Sequence, residues 1–121
     1  MPIKTVLIID DSPTERHILS QLLLSGGYEV STAESGDEGI ARAKQIKPDL
    51  ILMDVVMPGT NGFQATRALA RDEATKHIPV IICTTKVQET DTVWGLRQGA
   101  HDYVTKPVDG PALLAKIAAL G

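Results

Sequence analysis

A lone thiol, Cys83, is the chain's whole cysteine content, so no intrachain disulfide can form. It sits in the apolar run Val80-Ile81-Ile82-Cys83, where a cysteine is far more often a small core hydrophobe than a nucleophile. No run of lysines and arginines occurs, and the formal net charge is −3. Nucleic acids and anionic membranes are bound chiefly through clustered positive charge, so neither is expected as a main partner. The N-terminal Met1-Pro2-Ile3-Lys4-Thr5 leads straight into a short strand, without the long apolar stretch that export or membrane insertion requires. A cytoplasmic location is expected. With 121 residues there is room for one domain, 1–121, and not for a second.

What is present is acidic and placed. Asp10-Asp11 directly follow the apolar run Val6-Leu7-Ile8-Ile9, and Asp54 directly follows Leu50-Ile51-Leu52-Met53. Both runs read as buried strands whose ends carry the acids. If the strands are parallel neighbours, three carboxylates converge, and like charges about 4 Å apart repel by about 4 kcal/mol at an effective dielectric near 20. A hard divalent cation relieves this, and Mg²⁺ fits because it accepts few protein ligands and keeps positions open for water or phosphate.

Along the chain, apolar runs of strand length alternate with segments of helical period, the sign of βα units and a parallel sheet. The first strand, about Lys4 to Ile9, leads into a helix opened by Ser12-Pro13-Thr14-Glu15, which offers a cap, a first-turn proline and a capping-box glutamate; Gly26-Gly27 ends it. Tyr28 to Ala33 alternates as an edge strand does, and Ser35-Gly36-Asp37-Glu38 opens a second helix reaching about Ile46, stopped by Pro48. After Met53 a loop carries Met57-Pro58-Gly59-Thr60-Asn61-Gly62, and Phe63, Thr66, Arg67, Leu69 and Ala70 follow at helical spacing. Pro79 opens the fourth strand, which ends at Thr84-Thr85. A helix from about Glu89 to Gln98, a brief strand Asp102-Tyr103-Val104 and a helix from Leu113 to Leu120 complete five βα units.

Right-handed crossovers then favour a doubly wound, flavodoxin-like α/β sheet of order 2-1-3-4-5, with ligands bound where chain direction reverses between strands one and three. Asp10, Asp11 and Asp54 fall at that point. Thr84 and Lys106-Pro107 close the same rim from strands four and five. Each residue alone has a blander use: Asp11 as a helix cap, Asp54 as a turn former, Thr84 as a β-former, Lys106 as a solvated charge, Tyr103 as a half-buried aromatic. Their convergence at one rim is what points to function.

This ordered set resembles the receiver domains of bacterial two-component response regulators over nearly the whole chain: paired acids after strand one, Asp54 after strand three, Met57-Pro58-Gly59 and Gly62 in the loop, Thr84, then Tyr103 with Lys106-Pro107. The stretches Asp11 to Glu15, Asn61 to Arg67, Thr84-Thr85-Lys86, Gln88 to Asp91 and Val93-Trp94-Gly95 are most similar to stand-alone receivers of type IV pilus twitching-motility systems. The resemblance implies a CheY-like fold and that Asp54 attacks the phosphohistidine of a sensor kinase or phosphotransfer domain to give an aspartyl phosphate. It implies Mg²⁺ on Asp11, Asp54 and the backbone carbonyl of Val56, with Asp10 as a further or water-mediated ligand. Lys106, after a commonly cis Lys-Pro bond, would pair with a phosphoryl oxygen. Thr84 and Tyr103 would form the switch, reshaping the face made by the fourth helix, fifth strand and fifth helix, where a target docks. Trp94, Leu96, Arg97 and Lys116 belong to that face, although Trp94 equally suits the core. Such a protein would catalyse only its own phosphorylation and dephosphorylation.

Two departures bear on lifetime. Val56 offers no group to orient a hydrolytic water, and Lys86 stands where acids or amides are often found, so a long-lived aspartyl phosphate is expected. Of the alternatives, a chemotaxis-type receiver acting as a phosphate sink is set apart from a motility receiver only by family resemblance in short stretches. A small aspartyl-phosphate phosphatase of the haloacid dehalogenase type would need an acid at position 56 and a substrate-selecting cap. A flavodoxin-like FMN module would need a Ser/Thr/Gly phosphate loop where Asp10-Asp11 stand.

Overall fold

The computed structural model describes residues 2–84 and 98–120. Strands β1 (Thr5–Ile9), β2 (Glu29–Ala33), β3 (Leu50–Met53), β4 (Val80–Thr84) and β5 (Asp102–Thr105) alternate with helices α1 (Pro13–Ser25), α2 (Gly36–Ile46), α3 (Gly62–Arg71) and α4 (Gly110–Leu120). All strand pairs are parallel and the order is β2-β1-β3-β4-β5, as expected from the sequence. Trp94, Leu96, Arg97 and Lys86, and nearly all of the helix expected over 89–98, lie outside the described residues. Among the described residues no helix is long and apolar enough to cross a membrane.

Because successive strand residues face opposite sides, each strand feeds two cores. Leu7, Ile9, Ile51, Met53, Val80 and Ile82 pack with Ala43, Phe63, Ala65 and Leu69 of α2 and α3. Val6, Ile8, Leu50, Leu52, Ile81 and Cys83 pack on the other side with Leu19 and Leu23 of α1 and Leu113 and Ile117 of α4. The central strands β1, β3 and β4 are therefore apolar apart from Thr5 and Thr84 at their ends, whereas β2, at the edge, is half-exposed along most of its length. This is why the three central runs were continuous in sequence and the second strand alternated.

Helix ends follow their local chemistry. Ser12 and Ser35 accept from the backbone N–H groups of Glu15 and Glu38, at 3.3 and 3.2 Å. A full capping box forms at α3, where Asn61 and Gln64 exchange two bonds of 2.9 Å. Lys47 ends α2 at φ 47, its N–H bonded to the Ala43 carbonyl at 3.0 Å, before Pro48 forbids another turn. The last helix starts at Gly110 rather than at Leu113. Asp109 caps it, its carboxylate accepting from Ala112 N at 3.1 Å, and Pro111 costs no hydrogen bond in a first turn. Apolar periodicity begins only at Leu113, which is where the sequence placed the start.

Candidate functional site

The acids meet at the C-terminal rim because β1 and β3 are in register, Ile9 opposite Met53. The next residue in each strand is an aspartate. Asp54 N–H donates to the Ile9 carbonyl at 2.9 Å, and Asp10 N–H donates to the Ala33 carbonyl of β2 at 3.1 Å. One carboxylate oxygen from each of Asp10, Asp11 and Asp54 lies within 4.8 Å of the others. Asp10 and Asp54 are buried and Asp11 is exposed. The sheet therefore brings together the three acids singled out in the sequence.

Lys106 enters this cluster from the far end of the sheet. Its backbone N–H donates to the Thr84 carbonyl at 2.8 Å, and the Lys106-Pro107 peptide is cis. Its Nζ lies 2.6 Å from Asp10 Oδ2, 3.5 Å from Asp54 Oδ1 and 3.9 Å from Glu15 Oε2. Thr84 is fully buried at the end of β4, opposite Thr105 in register, and shares the face of Ile82 and its neighbour Tyr103. Tyr103 is half-buried against the α2/α3 core. Val56 is 58% exposed and brings no polar side chain to the rim. Lys116, expected on the output face, pairs with Asp102 at 2.9 Å and so ties α4 to β5.

The electrostatics match the geometry. Burial, then the charge of Asp10, pushes the Asp54 carboxyl up from 3.8 to about 6, with Lys106 pulling it partly back. Burial alone would lower the Lys106 pKa, but the hydrogen bond to Asp10 and the charges of Asp54, Asp10 and Glu15 leave it raised. Three carboxylates, those of Asp10, Asp54 and Glu15, lie within 4 Å of one ammonium. Three clustered hard oxygen donors with charge left over fit a divalent cation of the Mg²⁺ type, and not the softer metals that favour thiolate or imidazole. Cys83, by contrast, has its thiol pushed up to about 12 by burial, as its core position implies.

Two supports, Glu15 and Arg16, were not picked out from the sequence, and a third, Gly62, was named only as part of the loop motif. Glu15, expected to complete a capping box, turns its carboxylate toward Lys106. Arg16 Nη1 donates to the Asp10 carbonyl at 2.7 Å, while Nη2 lies 3.5 Å from Glu34. Helical side chains lean toward the helix N-terminus, so a long donor one turn into α1 was a usable signal. Gly62 is packed so closely that a Cβ there would sit 2.1 Å from the Asp54 carbonyl oxygen. Its own N–H donates to Val55 O at 3.0 Å, seating the start of α3 on the peptide that carries Asp54.

Comparison with known proteins agrees with this arrangement. The family described as response regulator receiver domain matches residues 6–118. Protein PilH of Pseudomonas aeruginosa is 60% identical over 115 residues, covering 95% of each chain. The phosphate regulon transcriptional regulatory protein PhoB of the same organism is 42% identical over 117 residues, which are 97% of this chain and 51% of that one. The solved structure of chemotaxis protein CheY4 of Vibrio cholerae superposes with a TM-score of 0.91 at 32% identity, covering 98% of this chain and 99% of that chain.

Proposed function

The chain belongs to the response regulator receiver family, and from that premise we propose that Asp54 is its phosphoacceptor, supplied by a histidine kinase or phosphotransfer domain. Receivers of this family accept a phosphoryl group on an aspartate. The observation that carries the assignment to Asp54 is its position: a buried carboxylate with a pKa raised to about 6, within 4.8 Å of two other acids and 3.5 Å from the Lys106 ammonium. At pH 7 and above it is mainly ionised and able to attack. An Asp54 oxygen forms the new O–P bond as the N–P bond of the phosphohistidine breaks, and the leaving imidazole nitrogen takes up a proton.

Asp10, Asp11, Asp54 and the Val56 carbonyl are the proposed holders of Mg²⁺, which when bound neutralises the oxygens of the transferring group. The chain's own part is positioning. Lys106, already aimed into the cluster, takes another phosphoryl oxygen. Nearly two new negative charges on Asp54 draw the Thr84 hydroxyl, and Tyr103, on the same face of the next strand, moves into the space vacated. The surface that includes β5 and α4 then changes its affinity for a target protein. Residues 1–121 act in this reading as one receiver unit that signals by docking, in type IV pilus motility as the likeness to PilH indicates.

The test is intact-mass measurement after incubation with acetyl phosphate and Mg²⁺. A phosphate-sized adduct that requires Mg²⁺ and is lost in Asp54→Ala is the expected result. An adduct that persists in Asp54→Ala overturns the assignment, and transfer from a phosphorylated kinase decides the case if small donors label neither protein.

A further inference from the structure

Among the described residues, Asp11 is the one member of the acidic cluster that no side-chain interaction holds. Asp10 is anchored through Oδ1 by Ser12 N–H at 2.9 Å and through Oδ2 by Lys106, and Asp54 also faces Lys106. Among the described residues, no hydrogen bond or ion pair is made by the exposed Asp11 carboxylate. Its place in the cluster is therefore set by its backbone alone, and the peptide that leads into it is the one whose carbonyl belongs to Asp10. That carbonyl is gripped by Arg16 Nη1 at 2.7 Å. The guanidinium is rigidly mounted: Arg16 N–H makes the first helical bond, to Ser12 O at 3.0 Å, and the side chain is only 15% exposed. Nη2 leans on Glu34, just past β2, at 3.5 Å.

We propose that Arg16 is the positioning residue of the cation site, a planar brace that fixes the Asp10–Asp11 peptide so that the Asp11 carboxylate points at its two partners. The inference rests on the Mg²⁺ site proposed above, and it makes a claim whose sign runs against simple charge. Removing a cation one peptide away from an acidic cluster should by Coulomb's law strengthen divalent-cation binding. A brace predicts the opposite. Outer partners that orient metal ligands typically matter by about 10–100-fold in affinity, and Arg16 acts on one ligand of several, so the low end of that range applies. Lysine at this position keeps the charge, but its single compact head cannot reach the Asp10 carbonyl and Glu34 together. The Glu34 contact is exposed on the glutamate side, at 72%, and is the lesser half of the brace.

The experiment is a Mg²⁺ titration of full-length wild type, Arg16→Ala, Arg16→Lys and Glu34→Gln, followed by amide chemical shifts, with thermal unfolding in EDTA alongside. Arg16→Ala is expected to bind Mg²⁺ about tenfold more weakly, Arg16→Lys to fall between it and wild type, and Glu34→Gln to change less than twofold. At saturating Mg²⁺ the labelling rate of Arg16→Ala with acetyl phosphate returns to the wild-type value, which a damaged fold would not allow. Equal or tighter binding by Arg16→Ala overturns the proposal. Should that variant not fold, Arg16→Lys decides, since wild-type affinity there leaves no role for a planar brace. Absence of Mg²⁺ binding by the wild type would instead overturn the function proposed for the site.

Discussion

Replacing the proposed phosphoacceptor should make the protein more stable. In the unfolded chain Asp54 releases its proton near 3.8, and in the folded chain near 6, because burial and the neighbouring Asp10 charge disfavour the carboxylate. Between those values the folded state binds more protons than the unfolded state, so stability falls as pH rises through the window and stays reduced above it. At about 1.4 kcal/mol per pKa unit the full cost is about 3 kcal/mol, and water at the open side of the rim screens part of it, leaving about 1–3 kcal/mol. Asp54→Asn keeps the shape and removes the charge. In EDTA at pH 7.5 its urea unfolding free energy should exceed that of wild type by this amount, equivalent to roughly 4–12 °C in midpoint for a chain of this size. The gap should close as pH is lowered toward 4. Adding Mg²⁺ should narrow it from the other side, since wild type keeps a full ligand set and ligation at a hundred times Kd adds about 2.7 kcal/mol. A variant less stable than wild type at pH 7.5, or a gap that does not depend on pH, would refute the electrostatic account of the site.

Gly62→Ala places a methyl group 2.1 Å from the Asp54 carbonyl oxygen, so either α3 or the acceptor's peptide must shift. We expect a loss of about 1–3 kcal/mol in unfolding free energy, together with slower acetyl phosphate labelling; wild-type values of both would contradict the close fit. Cys83, with its thiol pushed up to about 12, should resist a disulfide reagent in the native protein at pH 8, where only about one molecule in ten thousand carries a thiolate. Its labelling should follow the urea unfolding curve, and rapid native reaction would mean the face bearing β4 opens easily. The aspartyl phosphate should outlast that of a chemotaxis-type receiver chased under the same conditions after donor removal, because Val56 is exposed and has nothing to orient a water. Equal or faster decay would remove that explanation, and Val56→Gln should shorten the lifetime.

The sheet was legible in the sequence because its central strands are buried on both faces, which leaves continuous apolar runs that no surface segment imitates. Given the order β2-β1-β3-β4-β5, the place of the three acids followed directly: Asp10 and Asp54 are each the first residue after a strand, and Asp11 is the second. Lys106 followed less directly. Sequence put it on the rim, but its closest partner, Asp10 at 2.6 Å, depends on how far a four-carbon side chain reaches across three strand ends. Arg16 and Glu15 were not singled out as parts of the site, because each lies on a helix whose first turn had already been explained by its cap, and the one usable signal was a long side chain one turn into α1. Their cases show how the missing information is distributed. A cap, a charge or a helical position accounts for a residue's backbone, whereas the side chain can serve a second purpose that only proximity discloses. In this fold the purpose is shared: Glu15 adds a negative charge beside Lys106, Arg16 a positive one beside Asp10, so α1 trims the charge balance of a cluster whose acids all come from strand ends. The strands thus fix which groups meet, and the first turn of α1 sets how strongly they repel.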